Sequence, residues 1–277
     1  MIRTVNKFFK FLFFQINLQQ MAFYFPPPKI SESPGRVVSQ SQMYEDRVSK
    51  RAGHISAAHR GRGLVWGGYE ESQMNEDHYL PSSELMIYNS LTQTWVSKRT
   101  TGDVPTKCSG AGAAVLGDMM FVVAGFHKIM ITMNALREVN GFERWAMSDD
   151  DDEDEDEEEN TVDTVEISNS IWSLDLLTYV WTKLSPNGVP PLRCDKTAVW
   201  AYRGRVYIFG GFGPPPTTSQ TVKVGNLFDF CEDPGSSQSM YNRGWSNQLV
   251  CYNTSTDTWE WPVTSGSAPS PRAWARA

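Results

Sequence analysis

The chain is poor in the residues that usually announce chemistry. It has four cysteines in 277 residues, Cys108, Cys194, Cys231 and Cys251, and no C-x-x-C pair. So few, so spaced, exclude a disulfide framework and a zinc-ribbon pattern; free thiols in a reducing compartment are expected. No run approaches eighteen apolar residues, so no membrane-spanning helix is expected. There are four histidines, and no H-E-x-x-H, P-loop or G-x-S-x-G. Gly110-Ala111-Gly112 begins a G-x-G, but the third glycine is missing and the segment leads into a strand rather than a helix, which argues against a dinucleotide. His54 and His59 are five apart on a strand-like stretch and point to opposite faces, which argues against a shared metal. No catalytic constellation, metal site or cofactor is expected.

Charge is scarce in one sense as well. The formal net charge is −7, but Asp149 to Glu159 is an unbroken run of eleven acids, and removing it leaves +4. That mild balance gives no ground for nucleic-acid binding. Like charges in such a run repel and bury nothing, so a solvated, disordered insertion over 147–165 is expected. Residues 1–50 read as a disordered leader and linker. Phe8 to Phe14 is apolar, but Lys10 interrupts it and no small-residue cleavage site follows; Met21 and Met43 are alternative starts, and 26–44 is rich in Pro and Ser.

What the chain does have is a repeat. Tyr88, Trp95, Gly102 and Pro105 stand at spacings of seven, seven and three; so do Leu174, Trp181, Gly188 and Pro191, and again Tyr252, Trp259, Gly266 and Pro269. Ala124-Gly125 and Gly210-Gly211 each end twenty residues after the proline of their own copy, and Gly67-Gly68 opens the series. A shared register over this many landmarks marks tandem structural units. Each unit holds four short strands: one before a polar turn, one ending in diglycine, one ending in Tyr/Leu-Asn/Asp, and one carrying the Trp. Ala113–Leu116 and Met119–Val123 about Gly117-Asp118 align without gaps on Val199–Tyr202 and Arg205–Phe209 about Arg203-Gly204. Four-stranded antiparallel units in tandem are propeller blades. The fold expected is all-β, an incomplete propeller of three four-stranded blades plus the first strand of a fourth. The blades are 51–104, 105–190 (with the acidic insertion) and 191–268, and the fourth starts at 269–277. The repeated Trp is expected in the core between blades.

These landmarks resemble the kelch motif over residues 51–277, with paired Gly, a following Tyr, and Trp after a short hairpin. Val65-Trp66-Gly67-Gly68-Tyr69, Tyr79-Leu80-Pro81, Glu84-Leu85, Thr101 to Pro105, Arg243-Gly244-Trp245 and Ala268 to Arg272 look like one branch of that family, the substrate receptors of cullin-2 RING ubiquitin ligases. The resemblance implies six blades in those relatives and a C-terminal segment that docks on elongin and cullin-2. Neither the later blades nor that segment is in this chain, so elongin and cullin-2 are expected partners only if such a segment exists. A piece of a longer protein is the expectation, ahead of a dimer of half-rings.

The resemblance also implies a ligand, the free C-terminal end of another protein, often finishing in glycine, held in the central pocket as a degradation signal. Tyr69, Lys196 and Trp245 fall on matching pocket positions, and Phe212 stands where the relatives carry Tyr. The relatives' carboxylate-holding arginines belong to a fourth blade beyond this chain, and Arg272 and Arg276 precede them in register. Weak binding of such a peptide by these 277 residues is therefore expected. The alternative is a kelch scaffold with no ligase link that binds a protein through its long loops, 68–88, 125–174 and 211–252. Either way the chain is expected to bind proteins or peptides, to be no enzyme, and to reside in the cytoplasm, the nucleus or both.

Overall fold

The computed structural model describes residues 50–71, 77–132, 161–235 and 242–275, all within the unit Asp46–Ala277. The leader ahead of residue 50 and the acidic run lie outside them. Three sheets share a four-stranded antiparallel blade built in the same way, and the second carries a fifth, parallel strand.

In the first, β1 (Ile55–His59) and β2 (Arg62–Trp66) form a hairpin about Arg60-Gly61, both with positive φ (+46° and +73°). Such a two-residue turn matches the twist of the strands it joins. A small side sheet follows, β3 (Tyr69–Glu71) with β4 (Asp77–Tyr79). β5 (Glu84–Asn89) then returns beside β2, and β6 (Thr94–Arg99) closes the blade. The second repeat opens with β7 (Thr101–Gly102) and β8 (Cys108–Ser109). Its blade is β9 (Gly112–Leu116), β10 (Met119–Val123), β13 (Ile171–Asp175) and β14 (Val180–Leu184), with an arm of β11 (Phe126–Thr132) and β12 (Thr161–Ile167) between. The third blade is β15 (Ala198–Tyr202), β16 (Arg205–Phe209), β20 (Leu249–Asn253) and β21 (Thr258–Glu260). Its side sheet is β17 (Phe212–Gly213), β18 (Phe230–Glu232) and β19 (Gly244–Ser246), with the short helix α1 (Thr218–Val224) after β17.

The repeated landmarks now have physical causes. Asn89, Asp175 and Asn253 start the outer hairpins because their side-chain oxygens accept backbone N–H bonds two residues on, from Leu91 (3.0 Å), Leu177 (2.7 Å) and Ser255 (3.0 Å). Trp95, Trp181 and Trp259 are the register partners of Tyr88, Leu174 and Tyr252, one place in three successive blades. Trp181 and Trp259 each face the blade before them. Trp181 is 1% exposed, packs its ring 5.2 Å from Trp66 of the first blade, and donates its indole N–H to Thr100 Oγ1 at 3.0 Å. Trp259 lies against the second blade in a cluster with Phe121, Val123 and Ile171.

The glycines seven residues after Trp95 and Trp181 each serve the next blade. Thr101-Gly102 lies parallel along Val180-Trp181, and Asn187 bridges Thr258 in the same sense. Gly102 (φ +83°) passes so close to the Trp181 backbone that a Cβ there would collide with its carbonyl oxygen. A Cβ on Gly188 (φ +93°) would stand 2.8 Å from the Trp259 carbonyl oxygen. This linker strand is a finding; the sequence reading placed four strands in each unit and none between them.

Two further expectations change. The stretches after each diglycine, read as loops, carry the three small side sheets. The arm of the second repeat runs through 161–165, which the sequence reading assigned to the acidic insertion. Beyond the acidic run the chain turns to Thr161-Val162-Asp163-Thr164-Val165, whose β-branched residues suit a strand. At the other end, residues 269–275 set the lead-in of a fourth repeat in place, with Gly211 donating to the Arg272 carbonyl at 2.9 Å. No strand forms over 269–275, and the rest of the stretch expected to open a fourth blade, 276–277, lies outside the described residues.

Candidate peptide-binding site

The inner ends of the blades are tied by a chain of backbone hydrogen bonds. Gly53, Gly110, Lys196 and Trp274 occupy one repeat position and share one left-handed conformation (φ +64°, +66°, +59° and +58°). Gly110 donates to the Gly53 carbonyl (2.8 Å), Lys196 to Gly110 (2.7 Å), and Trp274 to Lys196 (2.8 Å). Glycine adopts this conformation freely; for lysine and tryptophan it costs about 1–2 kcal/mol. The third and fourth repeats thus carry strained side chains where the first two carry none, and strain of this kind gathers at functional sites.

Next to that line stands a row of aromatic rings. Tyr69, Phe126 and Phe212 each follow the diglycine-type pair of their repeat, and they pair through the backbone with Ala52, Ser109 and Asp195. Phe212 is the centre of the cluster. Its ring centroid lies 5.2 Å from that of Trp245, its register partner across β17 and β19. Lys196 Nζ stands 5.5 Å from the Phe212 ring and 5.4 Å from Trp274, and makes an ion pair of 2.8 Å with Oδ2 of the buried Asp195. Arg243 lies over Phe126 (5.4 Å) and over Phe212 (5.8 Å). The half-buried Phe126 and Phe212 and the exposed Trp274 carry two cations and form a surface suited to an anionic group on an extended chain.

Of the four residues expected from the sequence, Lys196, Phe212 and Trp245 come together. Tyr69 holds the matching place on the first blade, where its ring packs on Tyr79 at 5.8 Å. The sequence reading missed Phe126, Asp195, Arg243 and Trp274. Phe126 was within reach, because it follows Ala124-Gly125 as Phe212 follows Gly210-Gly211. Arg243 stands in the Arg243-Gly244-Trp245 motif but was not read as a site residue, and Trp274 has no such signal; only folding sets them beside Phe212 and Lys196.

Other reactive groups are held in structural roles. Cys108 and Cys194 follow the prolines of their repeats by three, and burial pushes both thiols up to about 12, which keeps them protonated and unreactive. His127 stacks on Trp172 at 5.2 Å, pairs Nδ1 with Thr106 Oγ1 (2.9 Å) and donates from Nε2 to the Ala124 carbonyl (3.1 Å); burial lowers its pKa and keeps it neutral. His59 meets Asp118 of the second blade at 2.7 Å, beside an Arg60–Asp118 pair of the same length. Among the described residues no group of three or more His, Cys, Asp or Glu could hold a metal.

A family model described as the KLHDC2/KLHL20/DRC7 Kelch-repeats domain matches residues 161–277. These are kelch repeats. Human kelch domain-containing protein 2 is 31% identical over 227 residues, covering 81% of this chain and 47% of that protein. Human kelch domain-containing protein 1 is 26% identical over 232 residues, covering 82% of this chain and 47% of that protein. Human host cell factor 2 is 22% identical over 226 residues, with 80% of this chain and 21% of that protein covered. A solved structure of YjhT overlays on 80% of this chain and 54% of its own at 16% identity and a TM-score of 0.44, too loose a likeness to add to the sheets described above. The chain spans about half the length of the two kelch domain-containing relatives. Its fold is all-β and kelch-like, and the chain is related to kelch domain-containing proteins 2 and 1.

Proposed function

We propose that this kelch module binds the C-terminal end of another protein at the Lys196–Phe212–Trp245 cluster, as part of a substrate receptor for a cullin-2 RING ubiquitin ligase. The observation that carries the reading is that cluster: two cations on aromatic rings at the inner, side-sheet end of the blades. Such a surface takes a terminal carboxylate through charge-assisted hydrogen bonds while the rings exclude water. The resemblance to glycine-end receptors supplies the ligand class, and cytoplasmic or nuclear residence follows from that role.

The test is a titration of the 277-residue chain with a peptide ending in Gly-Gly, with a free or an amidated terminus. Binding with Kd in the hundreds of micromolar, about −5 kcal/mol, is expected, and weaker still for the amide, because Lys196 is already ion-paired. No binding, or equal binding of the two peptides, would defeat the reading; a micromolar Kd would contradict the weak binding expected of these 277 residues. Pull-down of elongin and cullin-2 with the full-length gene product distinguishes a ligase receptor from a plain scaffold.

A further inference from the structure

The joint between successive blades has the same parts each time, and at the two ends of the series those parts stand unmatched. Towards the third blade, the second presents Ala114, Phe121, Val123 and Ile171, each 7% exposed or less, in one cluster with Ile208 and Trp259. The same positions of the third blade are Trp200, Tyr207, Phe209 and Leu249, and all four are only half-buried. Trp200 and Tyr207 stack at 5.3 Å with their planes 9° apart. Among the described residues no further blade lies against this aromatic flank.

The linker contacts are unmatched too. On the outer edge of the second blade the Tyr179 and Trp181 carbonyls accept from the Thr101 and Asp103 N–H groups, both at 3.0 Å, and on the third the Asp257 carbonyl accepts from Asn187 at 3.0 Å. The matching Gln93 and Trp95, on the first blade, meet no linker among the described residues. The linker leaving the third blade has the opposite lack. Gly102 and Gly188 lie against Trp181 and Trp259, whereas a Cβ on Gly266 would meet nothing within 4 Å. One end thus offers an edge without a linker, and the other a linker without an edge.

We propose that the third blade of the 277-residue chain receives the first blade of a second copy, with Tyr207 packing on Trp95 and the linker about Gly266 lying along β6. The occupant is a second copy because the two unmatched surfaces are the two halves of a joint that this chain already makes twice within itself. Such a head-to-tail contact either closes into a ring or propagates. Three blades from each of two copies make six, within the range of about 4–8 that propellers adopt, and three copies would exceed it. The ring therefore closes on two. Residues 50–54 of the second copy take the place that 269–275 hold on the third blade. Trp274, at φ +58°, then yields to Gly53, at φ +64°, for which that conformation carries no penalty.

The experiment is light scattering and sedimentation of the 277-residue wild type, Trp95→Ala and Tyr207→Arg at about 1–100 µM, a range that brackets a Kd of about 10 µM. Wild type is expected to reach twice its mass of 31.3 kDa. Each variant spoils one side of both joints and should raise Kd about tenfold or more. An equimolar mixture of the two variants keeps one intact joint, Tyr207 of one copy on Trp95 of the other, and should associate more tightly than either variant alone. That recovery also shows that both variants are folded. A wild type that stays monomeric at about 100 µM overturns the proposal. Mass that climbs past two copies overturns the closed ring. A dimer broken by Tyr207→Arg and untouched by Trp95→Ala would join third blade to third blade, and the head-to-tail contact would fail.

Discussion

Trp95 and Trp181 occupy one position in successive kelch blades, with the same register, seven residues from the same kind of partner. Trp181 is fully buried, while Trp95 remains half-buried against Tyr88 at 5.1 Å. The difference lies outside both strands. Trp181 faces the sheet of the first blade, with Trp66, Leu64 and Leu85 beneath it; among the described residues no sheet precedes the first blade. In a tandem β array, then, local sequence makes the blade and the preceding neighbour completes its core. The glycines behave the same way. Gly102 and Gly266 share a repeat position and a backbone conformation (φ +83° and +85°), yet a Cβ at 102 would strike the next blade and one at 266 would meet nothing within 4 Å.

The largest effect should come from Trp181→Ala, which removes a fully buried indole and leaves the buried Thr100 hydroxyl unpaired. A loss of about 3–5 kcal/mol is expected, against about 1 kcal/mol or less for Trp95→Ala at a half-solvated site. Equal losses in denaturant unfolding would refute the contrast. Gly102→Ala comes next. Left-handed strain of about 1–2 kcal/mol applies at both glycines, but only Gly102→Ala must also push β7 off β14, so its midpoint should fall further than that of Gly266→Ala. Matching midpoints would show that the linker strand adds nothing.

The smallest effect concerns His127, in β11 at the base of the second repeat's arm. Burial depresses its pKa below the ordinary value of 6.5, so the unfolded chain takes up a proton that the folded chain refuses. Stability from this site is therefore complete above about pH 6.5 and falls as pH drops below it, at no more than about 1.4 kcal/mol per unit. His127→Asn should flatten that part of the profile between pH 6.5 and 5. Asp175 and Glu260, whose carboxyls are held below their usual range by hydrogen bonds from the Leu177 N–H and from Asn253, contribute only at lower pH. An unchanged slope in the variant would mean that His127 is protonated in the folded chain.

Much of this was legible in the chain itself. The spacing of Trp, Gly and Pro foretold the blades, and Gly117-Asp118 and Arg203-Gly204 foretold the inner hairpins to within a residue. The side sheets were not legible, because short polar strands such as Phe230–Glu232 have no periodicity long enough to read. Nor was β7, whose Thr101-Gly102 pairs with Val180-Trp181 seventy-nine residues on. Of the candidate site, Tyr69, Lys196, Phe212 and Trp245 came from resemblance, and three of them meet.

By itself the sequence determined the repeat, the strands and the turn chemistry, since each depends on residues within about twenty positions of one another. Tertiary structure decided which Trp is buried, which glycine is indispensable, and that Arg243 rests between Phe126 and Phe212. Those outcomes depend on surfaces contributed by different repeats, and the distance between such surfaces is set by blade packing, which no local pattern encodes.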